Sequence, residues 1–382
     1  MSTNLYEASN QWAVRPADQR YETLDAMYDA SRGYHASARV ASIPYRDLEL
    51  SDDDGELLLL GKERIARFTN WSFGQICSRV GAPAGYLRSV PASLAASCIN
   101  HGLSDFPFDD VAQILMHENG TLLCRAFTSD DYSRIWNWEV IDRLRGLVGD
   151  GWSVPPARPA QAGAPGSRVA TAADIGPRTI NLHVGDTIAP AGLYASDHDM
   201  FAFLVNEQVT IDDGTPGGLA RGVFVSNSEV GAAALKLTRF LYRSVCGNHI
   251  VWDAKDVEEL RIVHRGNASS RYGYKLTAEL RKYAFGNVSD DELRIVESKK
   301  IQIGQTKDEV LNTLFAKRLL PRKTLELAYD RAVDEADTYR DFSPRSVWGM
   351  VQGITAHSQT EQFAEKRVEL DRAAGKLMSM SF

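Results

Sequence analysis

Two groups of side chains in this sequence have the types and spacing to do chemistry. The first is a set of oxygen and imidazole donors: Asp197, Asp199, Glu207 and Glu229, with His183 and His198. Such a set can hold Mg²⁺ or Mn²⁺ and serve a metal-dependent nuclease. Asp197 and Asp199, two residues apart, share a face where the chain is extended. Their spacing matches no metal motif, however, and Ser196-Asp197-His198-Asp199 is more readily a turn that caps a strand. The second group is basic and aromatic. Residues 264–275, HRGNASSRYGYK, lead into a helical stretch with Arg281, Lys282, Tyr283 and Phe285. Cations interleaved with rings suit a single-stranded nucleic acid, where charges track the backbone and rings stack on bases. Arg265, Arg271, Tyr272, Tyr274, Lys275, Arg281 and Lys282 are the candidate contacts. A basic helix face whose aromatics belong to the core is the competing reading.

The charge distribution favours the second group. The formal net charge is −7, yet residues 261–323 hold fourteen Lys/Arg against seven Asp/Glu, which leaves the rest of the chain at −14. Lys299, Lys300, Lys317, Arg318, Arg322 and Lys323 extend the basic region. A basic segment on an acidic chain can be a nucleic-acid footprint, or it can neutralise an acidic neighbour. No phosphate-binding loop, nucleophile elbow, zinc cluster or dinucleotide fingerprint is present, so no catalytic residue is assigned and no cofactor is expected. Mg²⁺ belongs only to the nuclease alternative. Cys77, Cys98, Cys124 and Cys246 show no paired spacing and are expected to be buried free thiols. No apolar run approaches the roughly 20 residues that span a bilayer. The first residues carry neither a basic nor an apolar leader segment, so a cytoplasmic location without a membrane partner is expected.

These side chains must be positioned by recognisable elements. The 382 residues suffice for two or three compact units. The centre is residues 221–252, where β-branched runs flank a turn-forming Asn227-Ser228-Glu229 and a Gly247-Asn248 pair suited to a hairpin turn. Between them Leu237, Phe240, Leu241 and Val245 fit a helical stripe, whereas Leu235, Leu237, Leu241 and Val245 fit an alternating face interrupted by Arg239; strands are the preferred reading, because the piece leads straight into the hairpin. Ahead of the centre, Ser51-Asp52-Asp53-Asp54-Gly55 marks a solvated turn between strands. Helical periodicity covers residues 69–101, with no charged functional face, and Asn119-Gly120 predicts a hairpin over 111–132. Arg125 lies in the apolar second strand of that hairpin and needs a partner, either Asp130 or Asp131, or a phosphate. Residues 155–177 are rich in Pro, Ala and Gly and read as a linker or mobile loop. Helices follow over 308–320, 323–336 and 346–377.

The central residues resemble a known family. Asn227-Ser228-Glu229-Val230-Gly231 and Tyr242-Arg243-Ser244-Val245-Cys246-Gly247-Asn248 are similar to the signature of the phage/plasmid-like domain-of-unknown-function family, with His249 where that family usually carries Gly. Arg125-Ala126 with Ser129 and Tyr132, Trp348-Gly349 and residues 373–377 add to the likeness, which covers about residues 12–377. Asn227, Ser228, Glu229, Gly231, Arg243, Cys246 and Asn248 are the signature positions. Glu229 and Arg243 are expected to form a buried ion pair between strands, and Asn227 and Asn248 to form turns. The setting of that family in mobile elements, near recombination genes, implies DNA metabolism.

The expected fold is α+β: an N-terminal α+β unit of helices and a hairpin (1–154), the linker (155–177), a central antiparallel β unit (178–260) and a basic, mainly helical region (261–382). The expected function is nucleic-acid binding, such as single-strand DNA binding or annealing by an oligomer. The alternatives are the nuclease built on Asp197, Asp199 and Glu229, and a non-catalytic protein that binds a host partner.

Overall fold

The computed structural model describes residues 19–60, 65–107, 109–148, 150–154, 158–159, 167–175, 182–189, 192–196, 198–214, 218–242, 249–251, 260–360 and 364–382. Strand β1 (Arg20–Tyr21) and helix α1 (Leu24–Ala36) lead into β2 (Ala38–Pro44), β3 (Glu49–Asp53), β4 (Glu56–Leu60) and β5 (Ile65–Phe68). Asp54 (φ 51°) and Gly55 (φ 83°) turn β3 into β4, and the Gly55 N–H donates to Asp52 at 2.8 Å. Two consecutive positive φ values are what a tight hairpin turn requires, so the acidic triplet runs from the end of β3 into a turn.

Helices α2 (Asn70–Arg79), α3 (Ala84–Leu87) and α4 (Ala92–Ser104) then cross over to the hairpin of β6 (Val111–Asn119) and β7 (Thr121–Ser129). Thr69 and Ser72 start α2 with reciprocal side-chain caps. The crossover makes β5 parallel to β7 in a six-stranded sheet ordered β2-β6-β7-β5-β4-β3. Phe73, Ile76, Ile99 and Leu103 of the helices close one core against Leu50, Leu59, Ile114 and Phe127 of that sheet.

After α5 (Asn137–Val148) come β8 (Trp152–Ser153), β9 (Arg158–Pro159), β10 (Arg168–Val169) and β11 (Thr187–Ala189). The stretch 155–177 thus supplies β9 and β10 to a three-stranded sheet with β11. Arg168 there grips Asp174 through two bonds of 2.6 and 2.8 Å. The rest of the stretch is outside the described residues except for 167 and 170–175.

The larger sheet is antiparallel. It joins β1 and β8 to β12 (Leu193–Ala195), β13 (Met200–Ile211), β14 (Leu219–Asn227), β15 (Leu235–Tyr242), β16 (His249–Val251) and β17 (Leu260–Ile262). Alternation sorts its side chains. Leu204, Val223, Val225 and Leu237 pack toward the helices on one face, and Tyr194, Phe201, Phe224 and Phe240 form an aromatic layer on the other. Arg239 interrupts the apolar row of β15 because it ion-pairs with Glu279 of helix α6 (Ala268–Ala284). The chain over 235–242 is therefore a strand, as its alternation predicts.

Helices α7 (Val288–Lys300), α8 (Lys307–Ala316), α9 (Arg322–Tyr339), α10 (Val347–Thr360) and α11 (Ala364–Leu377) complete the α+β fold. Trp348, Met350, Val351 and Ile354 make α10 the inner helix of this last core. Among the described cysteines Cys77 and Cys124 are buried, but Cys98 is exposed, because it lies on the outer side of α4.

Gly353 shows how closely α9 and α10 approach. A Cβ there would sit 2.1 Å from the backbone oxygen of Ala328 and 2.7 Å from the Ala332 Cβ. Alanine normally gains about 1 kcal/mol over glycine inside a helix, but a backbone atom cannot step aside. Gly353→Ala is therefore expected to destabilise by about 1–3 kcal/mol, read as a lower urea midpoint; a raised midpoint would refute the close crossing.

Candidate functional site

The signature residues that are described form a clasp between the two large sheets. Strand β14 ends at Asn227, whose side-chain amide donates to the Ile135 carbonyl and to Asn137 Oδ1, both at 2.9 Å. Asn227 is a buried cross-link and does not form a turn, which corrects the expectation; the turn comes after it. Ser228 donates to the His198 carbonyl at 2.6 Å and accepts from the Ala232 N–H at 3.0 Å. Glu229 is only 3% exposed. One of its carboxylate oxygens accepts from the backbone N–H of Asn137, the first residue of α5, at 2.7 Å. A carboxylate at a helix start meets both an open donor and the positive end of the dipole.

The other carboxylate oxygen of Glu229 faces Arg125 at 3.5 Å. Arg125 therefore pairs with Glu229 and not with Asp130 or Asp131, because its strand turns it inward. The expected partner of Glu229, Arg243, lies outside the described residues together with Cys246 and Asn248. Buried Arg134 donates to the Glu229 carbonyl and, at 2.9 Å, to Gln113 Oε1. Burial lowers its guanidinium to about 10. The Val230 carbonyl accepts from Trp71 Nε1 at 3.0 Å and from Gln75 Nε2 at 2.9 Å, both on α2. Tyr132 donates to the Ser228 carbonyl at 3.0 Å and stacks on the buried ring of His264, centroids 5.1 Å apart.

Beside the clasp opens a cleft of about 1190 Å³. Its floor is one face of α2, with Asn70, Trp71, Gly74 and Ser78; Asp109, Asp110, Asp130, Asp131, His198 and Gly231 surround it. Trp71 and His198 lie nearly parallel, with centroids 6.1 Å apart and planes at 21°. Four aspartates against Arg79 and Arg88 make the lining acidic. Arg79 is tied to Asp110 over the Tyr45 ring, and Arg88 donates to the Asn70 carbonyl. Asp131 accepts from Ser129 at 2.5 Å and pairs with Arg265 at 3.0 Å. The Ser129 hydroxyl, ahead of Arg265, holds its carboxyl below the usual range.

Helix α6 carries the basic, aromatic residues. Ala268, Tyr272, Leu276, Leu280, Tyr283 and Ala284 face the core at three- and four-residue intervals. The opposite stripe is exposed: Arg271, Tyr274, Lys275, Ala278, Arg281, Lys282 and the following Phe285. It holds four cations and no carboxylate. Tyr274 is 82% and Phe285 65% exposed. Of the sequence candidates, Tyr272 is corrected: it is buried and donates to Glu139 at 3.0 Å, so its ring cannot stack on a base. Arg265 stands apart, at the rim of the cleft. Lys299 and Arg322, further along, are committed to ion pairs with Asp341 and with Asp308 and Glu326.

Comparison of the chain with protein-family models, with curated proteins and with solved structures returned no match.

Among the described residues the first group of candidates comes together only at His198 and Asp199, whose Nε2 and Oδ2 are 3.6 Å apart. Asp197 is outside the described residues, and Asp199 accepts from the Ser196 hydroxyl at 2.6 Å within the turn that leads into β13. Glu229 is occupied by the clasp. Among the described residues no group of three or more His, Cys, Asp and Glu could hold a metal. The sequence reading passed over the cleft and over Arg143 of α5, which is exposed and lies beside Gly273 of α6. The spacing of Asn70, Trp71, Gly74 and Ser78 marks one polar helix face and could have pointed to the first. Nothing local points to Arg143, because it reaches α6 from 130 residues away.

Two outcomes follow from the clasp. Glu229→Ala deprives Arg125 of a buried carboxylate and is expected to cost about 3–5 kcal/mol in urea unfolding. Glu229→Gln, which keeps an acceptor for the Asn137 N–H, should cost less; no loss in either variant would mean that the clasp does not hold the sheets. Burial lowers His264 to about 4, against about 6.5 in an unfolded chain. The unfolded state then binds more protons between these values, so stability falls as pH drops from about 6.5 toward 4, by about 3 kcal/mol at most. His264→Phe should remove that component, so the gap between wild type and variant narrows on acidification; a gap independent of pH would disprove it.

Proposed function

We propose that the chain binds single-stranded nucleic acid along the exposed stripe of α6. The observation that carries this is the composition of the stripe: four cations without an ion pair among the described residues, flanking rings held out in water. A lone surface aromatic needs no explanation, but Tyr274 and Phe285 share their stripe with Arg271, Lys275, Arg281 and Lys282. The seventeen residues of α6 extend about 25 Å, enough for several nucleotides. Cations on such a helix pair with successive phosphates, and the rings stack on bases that a duplex would keep enclosed. A duplex offers the phosphates only, so single strands bind more tightly. DNA annealing by an oligomer is compatible with this surface and with the DNA metabolism that the family resemblance implies, and is the biological setting we favour.

The test is fluorescence anisotropy with labelled single-stranded and duplex oligonucleotides over a range of salt. Affinity for single strands should fall with salt with a log–log slope near −0.7 for each phosphate contact, so about −3 for four. Arg271→Ala and Lys282→Ala should each flatten the slope by about 0.7. Tyr274→Ala should weaken binding by about 1–3 kcal/mol while leaving the slope alone. Tyr272→Phe should change nothing. Binding that ignores salt, or that survives loss of all four cations, would refute the assignment.

A further inference from the structure

The cleft beside Gly231 is the feature that the α6 stripe leaves unexplained, and the geometry points to it as a pocket for one unstacked base of the bound strand, selective for bases that bear an exocyclic amino group. The inference rests on the single-strand reading, with which it shares a boundary. Arg265, three residues before α6 begins, is ion-paired to Asp131 on the cleft wall. A strand that follows the stripe to the start of α6 therefore arrives at the rim.

Three properties of the cleft select its occupant. The first is a flat wall. Trp71 is 37% exposed, and its ring is fixed by the bond from Nε1 to the Val230 carbonyl and by near-parallel packing with His198. A base that extends this stack meets a surface already ordered, so little side-chain entropy is lost on binding. The second is charge. With four aspartates and two arginines in its lining, the cleft repels phosphate, so the strand's backbone stays outside and only an uncharged base enters. The third is hydrogen-bonding polarity. The side chains of Asp109 and Asp130 make no hydrogen bond or ion pair among the described residues, and both are exposed to the cleft. Ionised carboxylates only accept. They favour the amino groups of cytosine, adenine and guanine, as acidic side chains do when they accept from cytosine N4. Thymine and uracil present carbonyl oxygens there and lose that bond. The volume, about 1190 Å³, lies just above the usual span of small-molecule sites, roughly 300–1,000 Å³, and admits a base with its sugar.

The experiment uses the full chain and two kinds of probe. Short cytosine, adenine and thymine homo-oligomers are titrated by anisotropy, and deoxycytidine and thymidine, which carry no phosphate, are followed by saturation-transfer NMR. Cytosine and adenine oligomers should bind about tenfold more tightly than thymine. Deoxycytidine should show transfer and thymidine little. Asp109→Ala/Asp130→Ala, at exposed positions where folding is not at stake, should reduce the preference to within twofold without weakening thymine binding. Equal affinity for all three oligomers, or a preference that survives the double substitution, overturns the pocket. Failure of every oligomer to bind, with deoxycytidine still showing transfer that the double substitution abolishes, would sink the α6 assignment and support the pocket alone. Loss of both signals would sink both.

Discussion

A carboxylate sealed in the interior is the constraint on which the arrangement of this protein turns. An ionised Glu229 without partners would cost many kcal/mol to desolvate, and even a pair with Arg125 does not by itself repay removal from water. What makes the position tenable is the number of groups that converge on it. Arg125 comes from the N-terminal sheet, the first N–H of α5 from the segment beyond that sheet, and Glu229 from the end of the central strand β14. Arg134 holds the Glu229 carbonyl, and two side chains of α2 hold the next one. These contacts join parts of the chain about 90–160 residues apart, as their sequence separations show. Their geometry fixes the docking of the N-terminal sheet on the central sheet, and that docking brings His198 and Gly231 to the cleft.

Local signals carried much of the fold. Asp54-Gly55 and Asn119-Gly120 are turns because of backbone conformations that those residues accept easily, and the neighbours that flank them alternate regardless of what lies across the core. The helices over 70–104 and 307–377 follow from apolar spacing in the same way. The row Leu235, Leu237, Arg239, Leu241 was legible as a strand, but the reason for its charged member was not, because Glu279 comes from a helix forty residues later. The same limit governed the site. Arg125 was legible as an inward charge in need of a partner, yet its nearest carboxylates in sequence, Asp130 and Asp131, lie beyond the end of β7, where the chain turns to the surface. Its partner arrives from 104 residues away. Tyr272 and Tyr274 look equivalent in sequence. Only the packing of α6 on α5, with Glu139 in reach of one hydroxyl, separates a core ring from an exposed one.

The signature therefore divides into structure and opportunity. The Asn227 amide nitrogen, the Ser228 hydroxyl and the Glu229 carboxylate are engaged by neighbouring backbone and side chains. Gly231, with φ +82°, turns the chain back at the edge of the cleft, in a conformation that a side chain would strain. Residues that clasp two sheets serve the fold, and a fold does not by itself specify chemistry. Surfaces that meet a ligand must be sought where side chains remain uncommitted among the described residues, on the outer stripe of α6 and at Asp109 and Asp130 of the cleft.

Electrostatics gives the proposed stripe and pocket a way to serve one strand without competing for it. The chain as a whole is acidic, so at long range it offers phosphate no attraction, and the basic stripe acts within about a Debye length, near 8–10 Å at physiological salt. In the proposed complex phosphates would thus be confined to the few cations of α6, and the acidic cleft nearby would exclude them while leaving a neutral base free to enter. Arg265, neutralised by Asp131, marks the boundary between the two fields. On the proposed reading, such an arrangement would separate holding from reading: charge on the helix would set how tightly a strand is bound and how that depends on salt, and the cleft would set which bases are preferred.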